Sequence, residues 1–199
     1  SSVAVRRAVT SPAASAATRS AVRPIENTAS SKGIGRRTAP AIHANARAWL
    51  NNRPVHMAPP PDVCVTGGWM FDLETLERNG RVVPWCMGWC DVEGNTQIAL
   101  VAPVQTPEPL TLPDGQRVIL APDSDALWEA FAESVAGDAP IFHWTGYDAA
   151  ILRSSGPAHV QRALLPRFED LHHHFTRAVS LPLRSTSIKA ISTYLGYPW

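Results

Sequence analysis

Apolar and polar positions change rhythm twice along this chain, and each rhythm predicts a different kind of structure. Over residues 1–24 the sequence is rich in Ala, Ser, Thr and Arg, and its small apolar positions have poor periodicity. Residues 33–50 read as a helix. A Gly33-Ile34-Gly35 turn leads into Ala39, Ile42, Ala46 and Leu50 at helical spacing, with Pro40 near the start, where proline is tolerated. Asn51-Asn52 and Pro54 end that run, and a Pro-rich segment at 58–62 reads as a stiff linker. Beyond it come strand patterns at Val63–Leu73, Val82–Cys90 and Gln97–Ala102, with a turn at Glu93-Gly94-Asn95, which together predict an antiparallel meander. Pro103–Pro122 is a proline-rich excursion with a turn at Asp114-Gly115. Helical spacing then returns with Leu127, Phe131 and Val135 behind a Ser124 cap, ending at Gly137. Pro140–Trp144 reads as a short buried strand. Helices are predicted through Asp148, Ile151 and Leu152 as far as Gly156, over 160–165, over 168–179, and from Ser185 or Ser187 through Ile188, Ile191 and Leu195 to Gly196. The sum is an α/β fold, a mixed sheet flanked by helices over 63–199, preceded by a small helical segment at 1–57.

Charge sharpens this division. The net charge is +1, but residues 1–60 carry nine basic residues and one acid, whereas 61–199 carry nine basic residues and sixteen acids. A basic segment suits a polyanion such as nucleic acid, and an acid-rich one suits bound cations. No apolar run approaches the roughly 20 residues that span a bilayer, and the polar, alanine-rich start lacks the apolar core of a secretory signal. Three cysteines, Cys64, Cys86 and Cys90, make no even disulfide framework and fit a reducing cytoplasm.

The acids are placed suggestively. Phe71-Asp72-Leu73-Glu74-Thr75 is read as the end of the first strand, where alternation puts Asp72 and Glu74 on one face. Ionised carboxylates on an apolar strand are costly without compensation, and a hard divalent cation with oxygen ligands would supply it. The bland alternative is a strand's solvent end. Asp148, in His143-Trp144-Thr145-Gly146-Tyr147-Asp148, falls in the first turn of a helix after a buried strand. There it is either an acid favoured by the helix dipole or a site residue at the strand ends.

Four stretches in order resemble the motifs of DEDD-type, DnaQ-like exonucleases of the RNase H-like superfamily: Phe71–Thr75, His143–Leu152, Phe168-Glu169-Asp170-Leu171, and Ser187-Ile188-Lys189-Ala190-Ile191 with Leu195-Gly196. The similarity is greatest to the predicted RNase H-like nuclease domain associated with RecB-like nucleases. That resemblance implies an RNase H-like fold and a metal-dependent nuclease, a 3'-5' exonuclease acting on DNA or RNA. It also implies Mg2+ or Mn2+ held by Asp72, Glu74 and Asp148 as metal-binding and catalytic residues. A RecB-like module in the same protein or pathway would be a partner. The family's fourth acid, with its Tyr or His base, lies after the Leu-Gly helix. The expectation is therefore a C-terminally incomplete domain with weak or no activity on its own. The same resemblance makes Gly33–Ala39 the hairpin of a helix-hairpin-helix, with Gly33, Gly35, Arg36 and Arg37 contacting nucleic-acid phosphates. Two other readings stand beside it: a non-catalytic nucleic-acid-binding module, and a transposase- or integrase-like relative of the same fold.

Other side chains carry less. His172, His173 and His174 are consecutive, so on a helix they point in different directions and cannot converge on one ion. Cys86 and Cys90 lack the second pair of a zinc site and read as small core residues. Trp69, Trp85, Trp89, Trp128 and Trp144 read as core, with base stacking open to any at a cleft. His143 is either near the metal site or a satisfied buried histidine.

Overall fold

In the computed structural model, residues 35, 38–102, 110–113 and 115–197 are described. The chain divides into two compact units between Ala39 and Pro40. Of the first unit only Gly35, Thr38 and Ala39 are described. The Gly35 carbonyl accepts from the backbone N–H groups of Thr38 and Ala39 and from the Thr38 hydroxyl, at 3.0–3.1 Å.

Helix α1 spans Ala39–Asn51 and leads the second unit. Its buried residues are Ala44 and Ala48, while Ile42 and Leu50 lie exposed. The predicted Ile42–Ala46–Leu50 stripe is thus not the packed face. Small side chains face inward because they let the helix backbone approach closely. A two-residue strand β1, Val55–His56, pairs antiparallel with β9, Val179–Ser180. The Met57 N–H also donates to the Ala178 carbonyl at 2.8 Å. The chain just before the Pro-rich 58–62 segment therefore belongs to the second unit.

The main sheet has seven strands: β2 (Trp69–Arg78), β3 (Arg81–Cys90), β4 (Thr96–Val101), β5 (Leu110–Thr111), β6 (Arg117–Ala121), β7 (Ile141–His143) and β8 (Phe168–Asp170). Their order is β5-β6-β4-β3-β2-β7-β8. β2, β3 and β4 form the predicted antiparallel meander, and β7 and β8 add in parallel on the other side of β2. β6 pairs parallel with β4, and β5 folds back on β6. The β2–β3 hairpin turns at Asn79-Gly80, with φ of 54° and 73°. Two positive φ values suit the right-handed strand twist, and Asn-Gly adopts them at low cost.

Helices cover the sheet: α2 (Ser124–Ser134), α3 (Tyr147–Ser155), α4 (Ala158–Leu164), α5 (Leu171–Ala178) and α6 (Ile188–Tyr194). Asp123, one residue earlier than expected, caps α2 by accepting from the Ala126 N–H at 2.9 Å. Ser124 instead donates its hydroxyl to the Pro84 carbonyl. Phe168–Asp170, predicted as helix, is the edge strand β8, and the helix begins only at Leu171. Ser187 caps α6, and Gly196 closes it with φ of 87°.

The core lies on one face of the sheet. Phe71, Leu73, Met87 and Trp89 meet Leu127, Trp128 and Phe131 of α2, and Ile151 and Leu152 of α3 join the same cluster. Phe71 stacks on Phe131 with centroids 4.3 Å apart. Among the described residues no helix is long and apolar enough to cross a membrane.

Candidate metal centre

Asp72 and Glu74 sit in the middle of the ten-residue strand β2 and not at its end, as the sequence suggested. Burial alternates along β2: Phe71 and Leu73 enter the core, while Met70, Asp72 and Glu74 face the other way and stay exposed. The acids therefore share a face because of strand alternation, and they leave the core untouched. Immediately after Glu74 the register with β3 shifts. Glu74 pairs with Cys86 and Thr75 with Pro84, so Trp85 is an extra residue. A bulge bends the strand and tolerates a proline that cannot donate to the ladder.

Along β2, strand β7 pairs only at Trp69 and Met70. Asp72 thus lies beyond the carboxyl end of β7, where Trp144–Gly146 turns into α3. α/β folds form their crevices in such places. Asp148 stands in the first turn of α3 and is 3% exposed. The Tyr147 hydroxyl and Thr75 Oγ1 share a hydrogen bond of 2.8 Å, fastening the start of α3 to β2. The turn between β7 and α3 is strained: Thr145 has φ of 72°, a left-handed conformation unusual for a β-branched residue. His143, 4% exposed, donates from Nδ1 to the Thr145 carbonyl. Asp148 Oδ2 is 3.7 Å from that nitrogen, beyond hydrogen-bond reach.

The electrostatics of the crevice are anionic. Burial, and then the charge of Asp72, push the Asp148 carboxyl up to about 7. Burial and the Glu74 charge likewise raise Asp72, whose carboxyl is partly desolvated although the residue is exposed. Burial, then Glu74, then Asp72 raise the Cys86 thiol, which faces the same side of β3. Burial holds His143 below the usual imidazole range, leaving it neutral. In donor chemistry, oxygen ligands carrying excess negative charge suit a hard divalent cation. The geometry is less complete: among the described residues, no three His, Cys, Asp or Glu side chains converge closely enough to hold an ion.

The remaining candidates separate. Asp170 caps α5, accepting from the His173 N–H at 2.9 Å. His172 bonds Thr186, His173 meets Arg177 and His174 pairs with Glu169, so the three histidines serve three partners. Cys64, Cys86 and Cys90 are free and half-buried. Of the helix-hairpin-helix residues, Gly35 is exposed, and Gly33, Arg36 and Arg37 lie outside the described residues. Tyr147, Thr145 and Gly88 also belong to this crevice, although their signals in the sequence are weak. Their signals were a polar aromatic just before Asp148, a β-branched residue in a turn, and a glycine inside an aromatic strand.

No protein-family model matches this chain, and no curated protein matches it.

Proposed function

We propose that residues 63–199 form an RNase H-like domain of a metal-dependent nuclease, a 3'-5' exonuclease hydrolysing phosphodiester bonds of DNA or RNA. The observation that carries this reading is the placement of Asp72 beyond the carboxyl end of β7 and of buried Asp148 in the helix turn that follows it, with burial and then the Asp72 charge raising the Asp148 carboxyl. Such an arrangement costs stability in the empty protein and is relieved by a cation. The meander, whose first strand is interior to the sheet and is followed on its other side by two parallel strands, also supports an RNase H-like fold.

Mg2+ or Mn2+ held by Asp72, Glu74 and Asp148 would neutralise phosphate charge and activate a water for attack. The chain's own groups prepare the place. The Tyr147–Thr75 hydrogen bond fixes α3 against β2, and the His143–Thr145 contact holds the turn that presents Asp148. The basic first unit, with Gly33, Gly35, Arg36 and Arg37, would add contacts to the phosphate backbone.

A specific observation favours a second reading, a non-catalytic nucleic-acid-binding module: three donors do not converge among the described residues. Calorimetric titration with Mn2+, beside an Asp72→Asn/Glu74→Gln variant, separates the two. Binding to the wild type that is lost in the variant is the expected result. A folded wild type that binds no Mn2+ but does bind a single-stranded oligonucleotide would put the second reading first.

A further inference from the structure

Glycine inside a strand is a cost, roughly 0.5–1 kcal/mol against alanine, so each such glycine needs a reason. Among the described glycines of the second unit, Gly67, Gly80, Gly94, Gly115, Gly137 and Gly196 have positive φ. Gly68 and Gly156 are crowded: a Cβ there would come within 2.4 and 2.5 Å of neighbouring atoms. Two glycines have neither reason. Gly88 lies in a paired stretch of β3, and Gly146 precedes α3 with φ of −75°; a Cβ on either would meet nothing within 4 Å. Both stand at the crevice, since Gly88 is the register partner of Asp72 and Gly146 lies two residues before Asp148. Folding does not require the missing side chain at position 88.

What the glycine leaves is floor space. Gly88 lines a cleft of about 280 Å³ that also includes Met70, Asp72, Phe142, Leu171 and Ile188. Its walls are mostly apolar, and Asp72, Thr96 and His143 also line it. That volume lies just below the roughly 300–1,000 Å³ of ordinary small-molecule pockets, so one ring system with its sugar is the scale that fits.

We propose that Gly88 is the size-determining residue of a seat for a flat, uncharged ring, which rests on the nuclease reading in that the ring is the base of the nucleotide whose phosphate meets the carboxylates. Apolar walls bind a ring by its faces, and every base has a π-face. The seat is therefore indifferent to which base occupies it.

The test is equilibrium binding of deoxyadenosine monophosphate and of inorganic phosphate, with and without Mn2+, to the full chain and to Gly88→Ala and Gly88→Leu. Gly88→Leu is expected to weaken deoxyadenosine monophosphate about tenfold or more. It should leave Mn2+ and inorganic phosphate binding unchanged and the melting temperature equal or higher. Gly88→Ala should give a smaller loss in the same sense, and it carries the test if the leucine variant does not fold. The four deoxynucleoside monophosphates should bind the wild type within about threefold of one another. Undiminished nucleotide binding in both variants overturns the proposal. So does a wild type that binds Mn2+ but no nucleotide, an outcome that leaves the nuclease reading standing. A wild type that binds the nucleotide but no Mn2+, and loses the nucleotide in the variants, supports the seat and overturns the metal-dependent nuclease reading instead.

Discussion

The two faces of strand β2 are built from alternate residues of one short sequence, yet they obey opposite rules. On one face Phe71 and Leu73 are 5% and 6% exposed and lie under α2 and α3 within a continuous aromatic cluster. On the other, Met70 is 43% exposed, Asp72 and Glu74 repel each other, and Gly88 of the neighbouring β3, the partner of Asp72, offers no side chain at all. The first face gains stability from burial. The second gives some of it up in like charges, a glycine in a strand and a left-handed threonine nearby. Deviations from good folding chemistry collect around one face of β2, in that strand, in its partner β3 and in the turn after β7, and that asymmetry locates the site more firmly than any one residue does.

The sharpest way to break the comparison is to damage the covered face. Phe131→Ala removes the ring stacked on Phe71 and adjoining Trp89, and is expected to cost about 3–5 kcal/mol in urea denaturation. A middle effect comes from the crevice. Asp148 holds its proton up to about 7 in the folded chain, against 3.8 ordinarily. The folded state therefore binds more protons between those values, and its stability falls as the pH rises through that window. In metal-free buffer the drop from pH 5 to 8 is expected to be on the order of 1–3 kcal/mol. His143, depressed by burial, acts in the opposite sense, so the difference between wild type and Asp148→Asn isolates the carboxyl. Asp148→Asn should match the wild type at pH 4 and exceed it at pH 8. The smallest effect belongs to the open face: Met70→Ala should change stability by less than about 1 kcal/mol. A loss as large as that of Phe131→Ala would mean that the face is covered after all.

The sequence pattern was informative where periodicity and turn chemistry agreed. The meander, the β7 strand and the helices beginning near Ser124 and Tyr147 all follow from apolar spacing between Gly, Pro and Asn punctuation. It misled where side-chain size and burial parted company. Ile42 and Leu50 outweigh Ala44 and Ala48 on any hydropathy scale, but the alanines permit closer packing. Asp72 and Glu74 looked like the end of a strand, because acids in mid-strand make sense only once the uncovered face is seen. Phe168–Asp170 was hidden because a three-residue edge strand has too few positions to establish a period. At the candidate site, strand alternation set Asp72 beside Glu74, and the resemblance to exonuclease motifs added Asp148. Their relative placement depends on the short pairing of β2 with β7, a long-range fact that no local pattern records.

The small ladder between β1 and β9 has a consequence of its own for how the molecule assembles and comes apart. It ties positions about 125 residues apart along the chain through only two residues on each side. Closing so long a loop for so few bonds makes it one of the last pairings to form and one of the first to open. The strap carrying α1 can then release while the seven-strand sheet stays intact. Amides at Met57 and Ala58 should exchange with deuterium early, and the proline stretch that follows should be the first place a protease enters.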